Sequence, residues 1–370
     1  MNKNEMEYRG SKSAVSAVKE QRADGNWCII NPQLKLMHLR CALMGFERNY
    51  QLKFPSKQLR INYFSTINSI YNLNPWIVTG FSDAECSFMI TIYKNNKYKL
   101  GWSVQALFQI ELHKRDLPLL LQLQKYFCGC GSISNNQTKN SVRYAVHNIK
   151  DLINIIIPHF INYPLLTQKA ADFILFKQIV ELIKNKEHLS IEGLTKIINI
   201  KASLNLGLSE ILKTNFNNIN PVERPIINTT NIPDPNWLTG FTSGEGNFDV
   251  RILKSKTTNT KYIVQLRFRV SQHSRDLHLM ELLIKYLRTG KLEKNNKDSV
   301  FSLTVYKFSD INNIIIPFFS KYSLLGIKQL DFLDFCKVAN LMKEKKHLTI
   351  EGLEMIRKIK SGINKGRKHN

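Results

Sequence analysis

PWIVTGFSDAE, residues 75–85, recurs as NWLTGFTSGE, residues 236–245, so that Glu85 and Glu245 stand 160 residues apart. Three further blocks return in the same order at an offset of 159 or 160 residues: HKRDL (113–117) as HSRDL (273–277), NIIIP (154–158) as NIIIP (313–317), and HLSIEGL (188–194) as HLTIEGL (347–353). The period is far too long for a solenoid repeat. The chain is therefore predicted to contain a duplicated domain.

The charge balance indicates a polyanionic partner. The 370 residues carry a formal net charge of +24, and each Lys or Arg placed near a phosphate releases condensed counterions. Nucleic acid is the first candidate and an anionic membrane surface the second. We expect no membrane partner, because apolar runs such as 152–161 are interrupted by Asn154 and Pro158 and are too short to span a bilayer.

Cysteine usage favours free thiols in a reducing compartment. The six cysteines do not repeat between the halves, and a single residue separates Cys128 from Cys130. This spacing fits neither a structural zinc site nor a disulfide framework.

Hydrophobic periodicity predicts the same elements in each half. Apolar residues at helical spacing follow Pro75, which suits a helix start. Phe88, Ile90 and Ile92 then alternate with polar residues, as in a strand with one buried face. The alternation returns at 105–111, 247–252, 265–271 and 301–306, and helical patterns follow at 170–183 and 329–342. We predict an α+β fold in which antiparallel sheets carry helices on one face only.

The uncovered sheet face is a candidate DNA-binding surface. Arg251, Arg267 and Arg269 are predicted to lie there among Gln, Asn, Ser and Thr side chains, which bond well to phosphates and base edges. For a single strand, an ordinary solvated face would be the better interpretation. Several such strands on a chain this basic favour nucleic-acid binding.

The paired segments VTGFSDAEC (78–86) and LTGFTSGEG (238–246) resemble the two motifs of LAGLIDADG homing endonucleases, particularly the single-chain, two-motif type of fungal mitochondrial introns. The resemblance covers about 74–366. It implies duplicated αββαββα-like domains with pseudo-twofold symmetry and a saddle of antiparallel sheets over double-stranded DNA. It also implies cleavage at a long target that leaves short 3′ overhangs and promotes intron mobility.

The chemistry of the motif can be argued from its residues. Gly80 and Gly240 lack side chains, which lets two helices pack closely. Glu85 and Glu245 then end side by side as hard oxygen ligands, which suit Mg²⁺. One Glu at a helix end would be a solvated residue in most proteins, but the same Glu in both halves indicates a paired metal-binding and catalytic site. Divalent metals there polarise the scissile phosphate and stabilise the leaving oxygen.

The resemblance assigns roles to further residues. Lys169 and Lys328 occupy matching places and are candidates for positioning water or phosphate, with a surface role equally open. The outward side chains that we expect to read DNA are Met89, Thr91, Tyr93, Gln105, Gln109, Glu111, Asn247, Asp249, Arg251, Gln265, Arg267, Arg269, Ser271, Ser302 and Thr304. Among these, Glu111 and Asp249 are expected to accept from cytosine amines.

Two departures from the family pattern stand out. Cys86 replaces the glycine that usually follows the first Glu, and its Cβ is expected to crowd the turn into the strand, with some loss of activity. Ser243 replaces the usual acid before Glu245. We expect Asp83, its counterpart, to be a capping or interface residue rather than a catalyst.

The repeat also suggests domain boundaries. We expect a leader resembling intron reading frames and poorly ordered (1–70), a first half-domain (71–205), a linker (206–234), a second half-domain (235–366) and a basic tail (367–370). The chain is expected to be a monomer, because its two halves supply the pseudo-twofold axis. The resemblance places it in the mitochondrion. Two alternatives stay open: an RNA maturase that assists splicing of its host intron, and a catalytically weakened DNA-binding homologue.

Overall fold

The computed structural model describes residues 18–21, 27–30, 73–294, 299–364 and 367. Residues 1–63 form one unit, in which β1 (Val18–Gln21) pairs antiparallel with β2 (Trp27–Ile30). Apart from these two strands, the residues of the 1–70 leader, for which poor order was predicted, lie outside the described ranges. Residues 64–370 form the second unit and contain both halves of the repeat. The boundaries between half-domains and linker stay a prediction.

The first half of the repeat begins with a helix that is capped by its own sequence. Asn74 accepts a hydrogen bond from the backbone N–H of Trp76, and Pro75 occupies the first helical turn, where a missing N–H costs nothing. The elements of this half and its linker are α1 (Pro75–Glu85), β3 (Cys86–Lys94), β4 (Trp102–His113), α2 (Leu117–Tyr126), β5 (Ser132–Asn136), β6 (Ser141–Val146), α3 (Ile157–Asn162), α4 (Lys169–Lys184), α5 (Ile191–Ala202) and α6 (Glu210–Asn215).

The second half repeats this order. Asp234 replaces Asn74 as the cap and accepts from the backbone N–H of Asn236. The elements are α7 (Pro235–Glu245), β7 (Gly246–Lys254), β8 (Tyr262–His273), α8 (Leu277–Leu287), β9 (Lys291–Lys294), β10 (Val300–Val305), α9 (Ile316–Lys321), α10 (Gly326–Lys343) and α11 (Ile350–Lys360). No helix in the described part of the chain combines the length and apolar character needed to cross a membrane.

Each half contains one antiparallel four-stranded sheet. The strand orders are β3-β4-β6-β5 and β7-β8-β10-β9, so the two sheets share one topology. This confirms the duplicated α+β fold. The strands β5, β6 and β9 were not predicted. The short polar stretches of β5 and β9 give no clear alternation of apolar residues, whereas the alternation of Val142, Tyr144 and Val146 in β6 was a usable signal.

One phenylalanine forms the centre of each core. Phe88 of β3 contacts Phe108, Phe160, Phe173 and Phe176, with ring centroids 5.3 to 5.5 Å apart. In the second half Phe248 of β7 makes the corresponding contacts with the phenylalanines of β8, α9 and α10. The strands alternate as predicted, so these rings point into the helical layer and the opposite sheet face is left uncovered.

The first residue of the predicted basic tail forms ion pairs with the second half. Arg367 pairs with Asp331 at 3.0 Å and with Asp334 at 2.7 Å. The aspartate of the first half that corresponds to Asp331, Asp172, pairs at 2.7 Å with Arg224 of the linker. The boundary of the tail stays a prediction, and its remaining residues lie outside the described ranges.

Candidate active site and DNA-facing surface

Helices α1 and α7 pack against each other at their glycines. A Cβ built on Gly80 would fall on the carbonyl oxygen of Trp237 and within 2.8 Å of the backbone nitrogen of Phe241. A Cβ on Gly240 would fall on the carbonyl oxygen of Ile77 in the same way. Contact this close between helix backbones leaves no room for a methyl group. The predicted packing role of both glycines agrees with this geometry.

Asp83 connects the two helices, as expected of an interface residue. Its buried carboxylate accepts hydrogen bonds from the backbone N–H groups of Leu166 and Thr167 and from the Thr167 hydroxyl. It also accepts from the indole N–H of Trp237 in the opposite helix, at 2.8 Å. Both carboxylate oxygens of Asp83 are bound by neighbouring residues of the fold, which agrees with a structural role at the helix interface.

Glu85 and Glu245 are the last residues of the two helices and lie close together. A Cβ built on Gly244, next to Glu245, would stand 2.9 Å from Oε1 of Glu85. Burial raises the pKa of both carboxyl groups, and the nearby Glu85 charge raises that of Glu245 further, to about 7. Two desolvated carboxylates that repel each other form a site whose charge a cation would neutralise.

The two carboxylates are not equivalent. The side-chain amide of Gln272 donates a hydrogen bond to Oε1 of Glu245 at 3.0 Å. Leu112 occupies the matching position in β4 and offers no donor to Glu85. Sequence reasoning missed Gln272, although the Leu-to-Gln difference between two matched strands was a visible signal.

Lys169 and Lys328 reach the ends of the paired helices from α4 and α10. Nζ of Lys169 donates to the carbonyls of Ser82 and Ala84 at 3.0 and 3.3 Å, and Nζ of Lys328 donates to the carbonyl of Gly246 at 2.6 Å. Burial lowers the pKa of Lys328. The positive charges of both lysines lower the pKa of each glutamate and so counteract part of the effect of burial. Both lysines are half-buried and interact electrostatically with the two carboxylates, while their role in positioning water or phosphate stays a prediction.

Cys86 lies at the turn from α1 into β3, and its side chain is buried in the core. At the matching position a Cβ built on Gly246 would overlap both the methyl carbon and the carbonyl oxygen of Thr242. Ser82 replaces Thr242 in the first half, which removes the methyl group and leaves the backbone carbonyl. Burial raises the pKa of the Cys86 thiol to about 12. The expected effect of Cys86 on activity stays a prediction.

The predicted base readers lie on the uncovered sheet faces, but two of them are buried there. Met89, Thr91, Tyr93 and Gln105 are exposed, and Gln109, Glu111, Asn247, Asp249, Arg251, Gln265, Arg267, Arg269 and Ser271 are half-buried. Ser302 and Thr304 are corrected: they are only 8% and 1% exposed, with Ser302 paired to Ser271 and Thr304 to Arg269 across the sheet, so they are not accessible as expected. Contact of the remaining residues with bases stays a prediction.

The acids on these faces are bound to arginines, contrary to the expectation that they are free to accept from cytosine. Glu111 accepts from Nε and Nη2 of Arg143 at 3.2 and 2.9 Å, and Asp249 accepts from Nη2 of Arg267 at 2.7 Å. Arg143 lies in β6, a strand that the sequence analysis did not identify. Arg143 is therefore a basic residue of the DNA-facing surface that was not predicted from the sequence.

The family model described as LAGLIDADG endonuclease matches the chain twice, over residues 78–180 and 238–339. Probable intron-encoded endonuclease 3 of Neurospora crassa is 50% identical over 377 residues, covering 96% of this chain and 69% of that protein. The chain belongs to the LAGLIDADG endonuclease family. Both sheets, the two glutamates and all but the first three residues of each motif helix fall within the matched residues.

Solved structures of LAGLIDADG homing endonucleases have the same fold. The structure of I-SmaMI bound to cleaved DNA superposes with a TM-score of 0.78 at 47% identity, covering 80% of this chain and 98% of that one. Another structure of I-SmaMI contains an uncleaved DNA target and calcium ions. A protein in ND4 intron 1 of Podospora anserina is 37% identical over 49% of this chain and 42% of its own length. Together these likenesses support a site-specific DNA endonuclease, with double-stranded DNA as its partner.

Proposed function

We propose that this LAGLIDADG endonuclease hydrolyses DNA with a divalent metal, Mg²⁺, held between Glu85 and Glu245. The observation that carries the proposal is the meeting of two buried carboxylates at the ends of paired helices, with the pKa of Glu245 raised to about 7. The residues fit the ion, because carboxylate oxygens are the ligands that Mg²⁺ prefers. Calcium in the complex of the structural neighbour supports a metal site of this family type.

The bound metal would polarise the scissile phosphate and lower the pKa of an attacking water. Glu85 and Glu245 would each serve one DNA strand, as the two-motif arrangement implies. Lys169 and Lys328 would stabilise negative charge on the phosphate, since each ammonium lies near both carboxylates. The solved forms of I-SmaMI include lysine-to-alanine variants, singly and together. Those two lysines are separated by the same number of residues as Lys169 and Lys328.

The wider biological function follows from the family. We propose cleavage at a long target with short 3′ overhangs, which promotes mobility of the coding intron. The relatives are intron-encoded, and one lies in an ND4 intron, which favours a mitochondrial gene. The pseudo-twofold axis between α1 and α7 supports a monomer, because a single chain already brings both carboxylates together.

A cleavage assay tests the metal-dependent function. The purified protein is incubated with a plasmid that carries the joined exons flanking its own coding intron. Linear product with Mg²⁺, and none with a chelator, would establish the reaction. Linear product in the presence of chelator would contradict metal dependence. Tight DNA binding without cleavage would instead favour the catalytically weakened homologue, and preferential binding of the intron RNA would favour the RNA maturase.

A further inference from the structure

Two arginine–acid pairs lie on the uncovered sheet faces, one in each half. In the first half, Glu111 of β4 stands opposite Arg143 of β6 and accepts from it at 2.9 Å. In the second half, Asp249 of β7 stands opposite Arg267 of β8 and accepts from it at 2.7 Å. Each pair thus joins registered neighbours on one sheet face.

The acids hold each guanidinium by one edge. Glu111 takes Nε and Nη2 of Arg143, and its other oxygen accepts from the Ser141 hydroxyl at 2.6 Å. Within the described residues, Nη1 of Arg143 has no hydrogen-bond partner. Asp249 takes Nη2 of Arg267, whose buried Nε has no hydrogen-bond partner among the residues that the structure describes. In both pairs the Nη1 side of a fixed, planar group is available for a ligand.

The internal repeat places different residues at the matching positions. Met89 and Leu107 form the registered pair of the first half where the second half has Asp249 and Arg267. Ser271 and Ser302, whose hydroxyls lie 2.8 Å apart, form the pair of the second half where the first half has Glu111 and Arg143. The charged pairs therefore occupy different levels of the two sheets.

We propose that Arg143 and Arg267 each read one guanine of the target, and that Glu111 and Asp249 are positioning residues for them. Guanine presents O6 and N7 in the major groove, which two neighbouring N–H groups of a guanidinium match. Each arginine has no counterpart at the matching position of the other half, so the corresponding base pair of the other half-site is read without a preference for guanine. Met89 and Leu107 offer only apolar contact, which suits a thymine methyl group. This inference rests on DNA being the substrate of the sheet faces.

The alternative is that these are ordinary surface ion pairs. Such pairs are worth little and need not be fixed in geometry. The side chains of Arg267 and Asp249 are only 20% and 27% exposed, so this pair is more restricted than a fully solvated one. The side chains of Arg143 and Glu111 are 40% and 28% exposed, and Glu111 is instead fixed by two N–H groups of Arg143 and by the Ser141 hydroxyl. These contacts give each guanidinium a defined orientation, which an ordinary surface ion pair does not require.

An exchange between the two halves provides the test. Asp249→Met with Arg267→Leu copies the first half into the second, and Met89→Asp with Leu107→Arg does the reverse. Both exchanges leave the net charge unchanged, so non-specific attraction to phosphates stays matched. A pool of DNA duplexes with randomised sequence is selected for binding in Ca²⁺, and the enriched bases are read for the wild type and each variant. Glu210→Gln with Lys213→Gln, an exposed ion pair of the linker, is the control.

We expect each exchange to change one base pair of the selected target. The first variant should lose a guanine preference of roughly 5- to 150-fold, the range of a bidentate contact. The second should acquire a guanine at the matching base pair of the other half-site. Asp249→Asn and Glu111→Gln should weaken the guanine preference at one base pair each and leave the rest of the selected target unchanged.

A second test changes only the DNA and uses the wild-type protein, so its result does not depend on whether the variants fold. Replacing a guanine of the selected target by 7-deazaguanine deletes N7 and keeps base pairing. We expect binding of the wild-type protein to weaken at least about fivefold at two guanines. Two outcomes would overturn this proposal alone, provided that the wild-type protein selects a defined target. One is that no guanine of that target is sensitive to 7-deaza substitution. The other is that both exchange variants select the same bases as the wild type. A wild-type protein that enriches no sequence would overturn it together with site-specific cleavage.

Discussion

Trp237 donates its indole N–H to Asp83 across the α1–α7 interface, with 2.8 Å between the two atoms. This bond connects the halves beside the candidate active site, because Asp83 lies two residues before Glu85. The tryptophan ring also stacks on Phe241, with centroids 4.8 Å apart. The pair therefore couples the stability of the interface to the placement of the carboxylates that we propose as catalytic.

Removing this hydrogen bond should destabilise the protein. We expect Trp237→Phe to lower the free energy of unfolding by about 1.5–3 kcal/mol, since the bond is to a charged group and the ring stacking is retained. In a double-mutant cycle with Asp83→Asn, the two variants should couple by a similar amount. Trp76→Phe, in a half-buried tryptophan of α1, is the matched control. Additive effects of the interface pair in urea denaturation would contradict the prediction.

The glycines of the helix pair should not tolerate a methyl group. Gly80→Ala or Gly240→Ala would place a Cβ on a carbonyl oxygen of the opposite helix. We expect the free energy of unfolding to fall by about 1–3 kcal/mol or more, as when extra methylene groups are forced into a packed core. The control is Gly362→Ala, whose Cβ would have its nearest neighbour at 3.4 Å. Equal urea midpoints for all three variants and the wild type would count against close helix packing.

His159 should make the protein sensitive to acid. Its ring lies between the Thr79 and Tyr126 hydroxyls, each at 3.1 Å, and burial lowers its pKa from 6.5 to about 4. Because the unfolded chain binds the proton more readily, the stabilisation is complete above pH 6.5 and is lost as the pH falls toward 4. The difference amounts to about 3 kcal/mol.

The second half supplies the matched variant for this prediction. Phe318 stands at the position that corresponds to His159. We expect His159→Phe to flatten the dependence of unfolding free energy on pH between 6.5 and 4, measured by urea denaturation at several pH values. Parallel curves for the variant and the wild type would show that His159 stays protonatable in the folded protein.

The two glutamates should be needed for double-strand cleavage. Glu85→Gln or Glu245→Gln removes a negative ligand while keeping the size of the side chain, so linear product should form at less than about one hundredth of the wild-type rate. DNA binding should remain, because the sheet faces are unchanged. Glu192→Gln, an exposed glutamate of α5, is the control. Full cleavage by either active-site variant would end the paired-carboxylate mechanism.

Gln272 should make the two strand cleavages unequal. It fixes Oε1 of Glu245, whereas Leu112 gives Glu85 no such hydrogen bond. We expect Gln272→Leu to slow cleavage of one strand by about 10-fold or more, as for residues that orient metal ligands. A duplex labelled differently on each strand measures both rates, and Leu112→Gln is the reciprocal variant. Equal slowing of both strands would contradict a role confined to Glu245.

The fold could be predicted largely from local patterns. Repeated blocks, period-two alternation at Phe88, Ile90 and Ile92, and the proline at the start of α1 are short-range signals, and each corresponds to a feature of the structure. The weak strands β5 and β9 could not be recognised, because their polar residues acquire strand geometry only by pairing with β6 and β10. Arg143 was missed because β6 was not predicted, although Val142, Tyr144 and Val146 alternate there with Arg143 and Ala145.

The duplication, the α+β class and the pairing of the two motif glutamates follow from residue type and spacing along the chain, so sequence patterns were enough to predict them. Which side chains meet is a property of the folded chain: Glu111 and Asp249 bind arginines, Ser302 and Thr304 are buried, and the amide of Gln272 donates to Glu245. Hydrogen bonds, burial and raised pKa values depend on distances between residues far apart in sequence, which the packing of helices and strands sets.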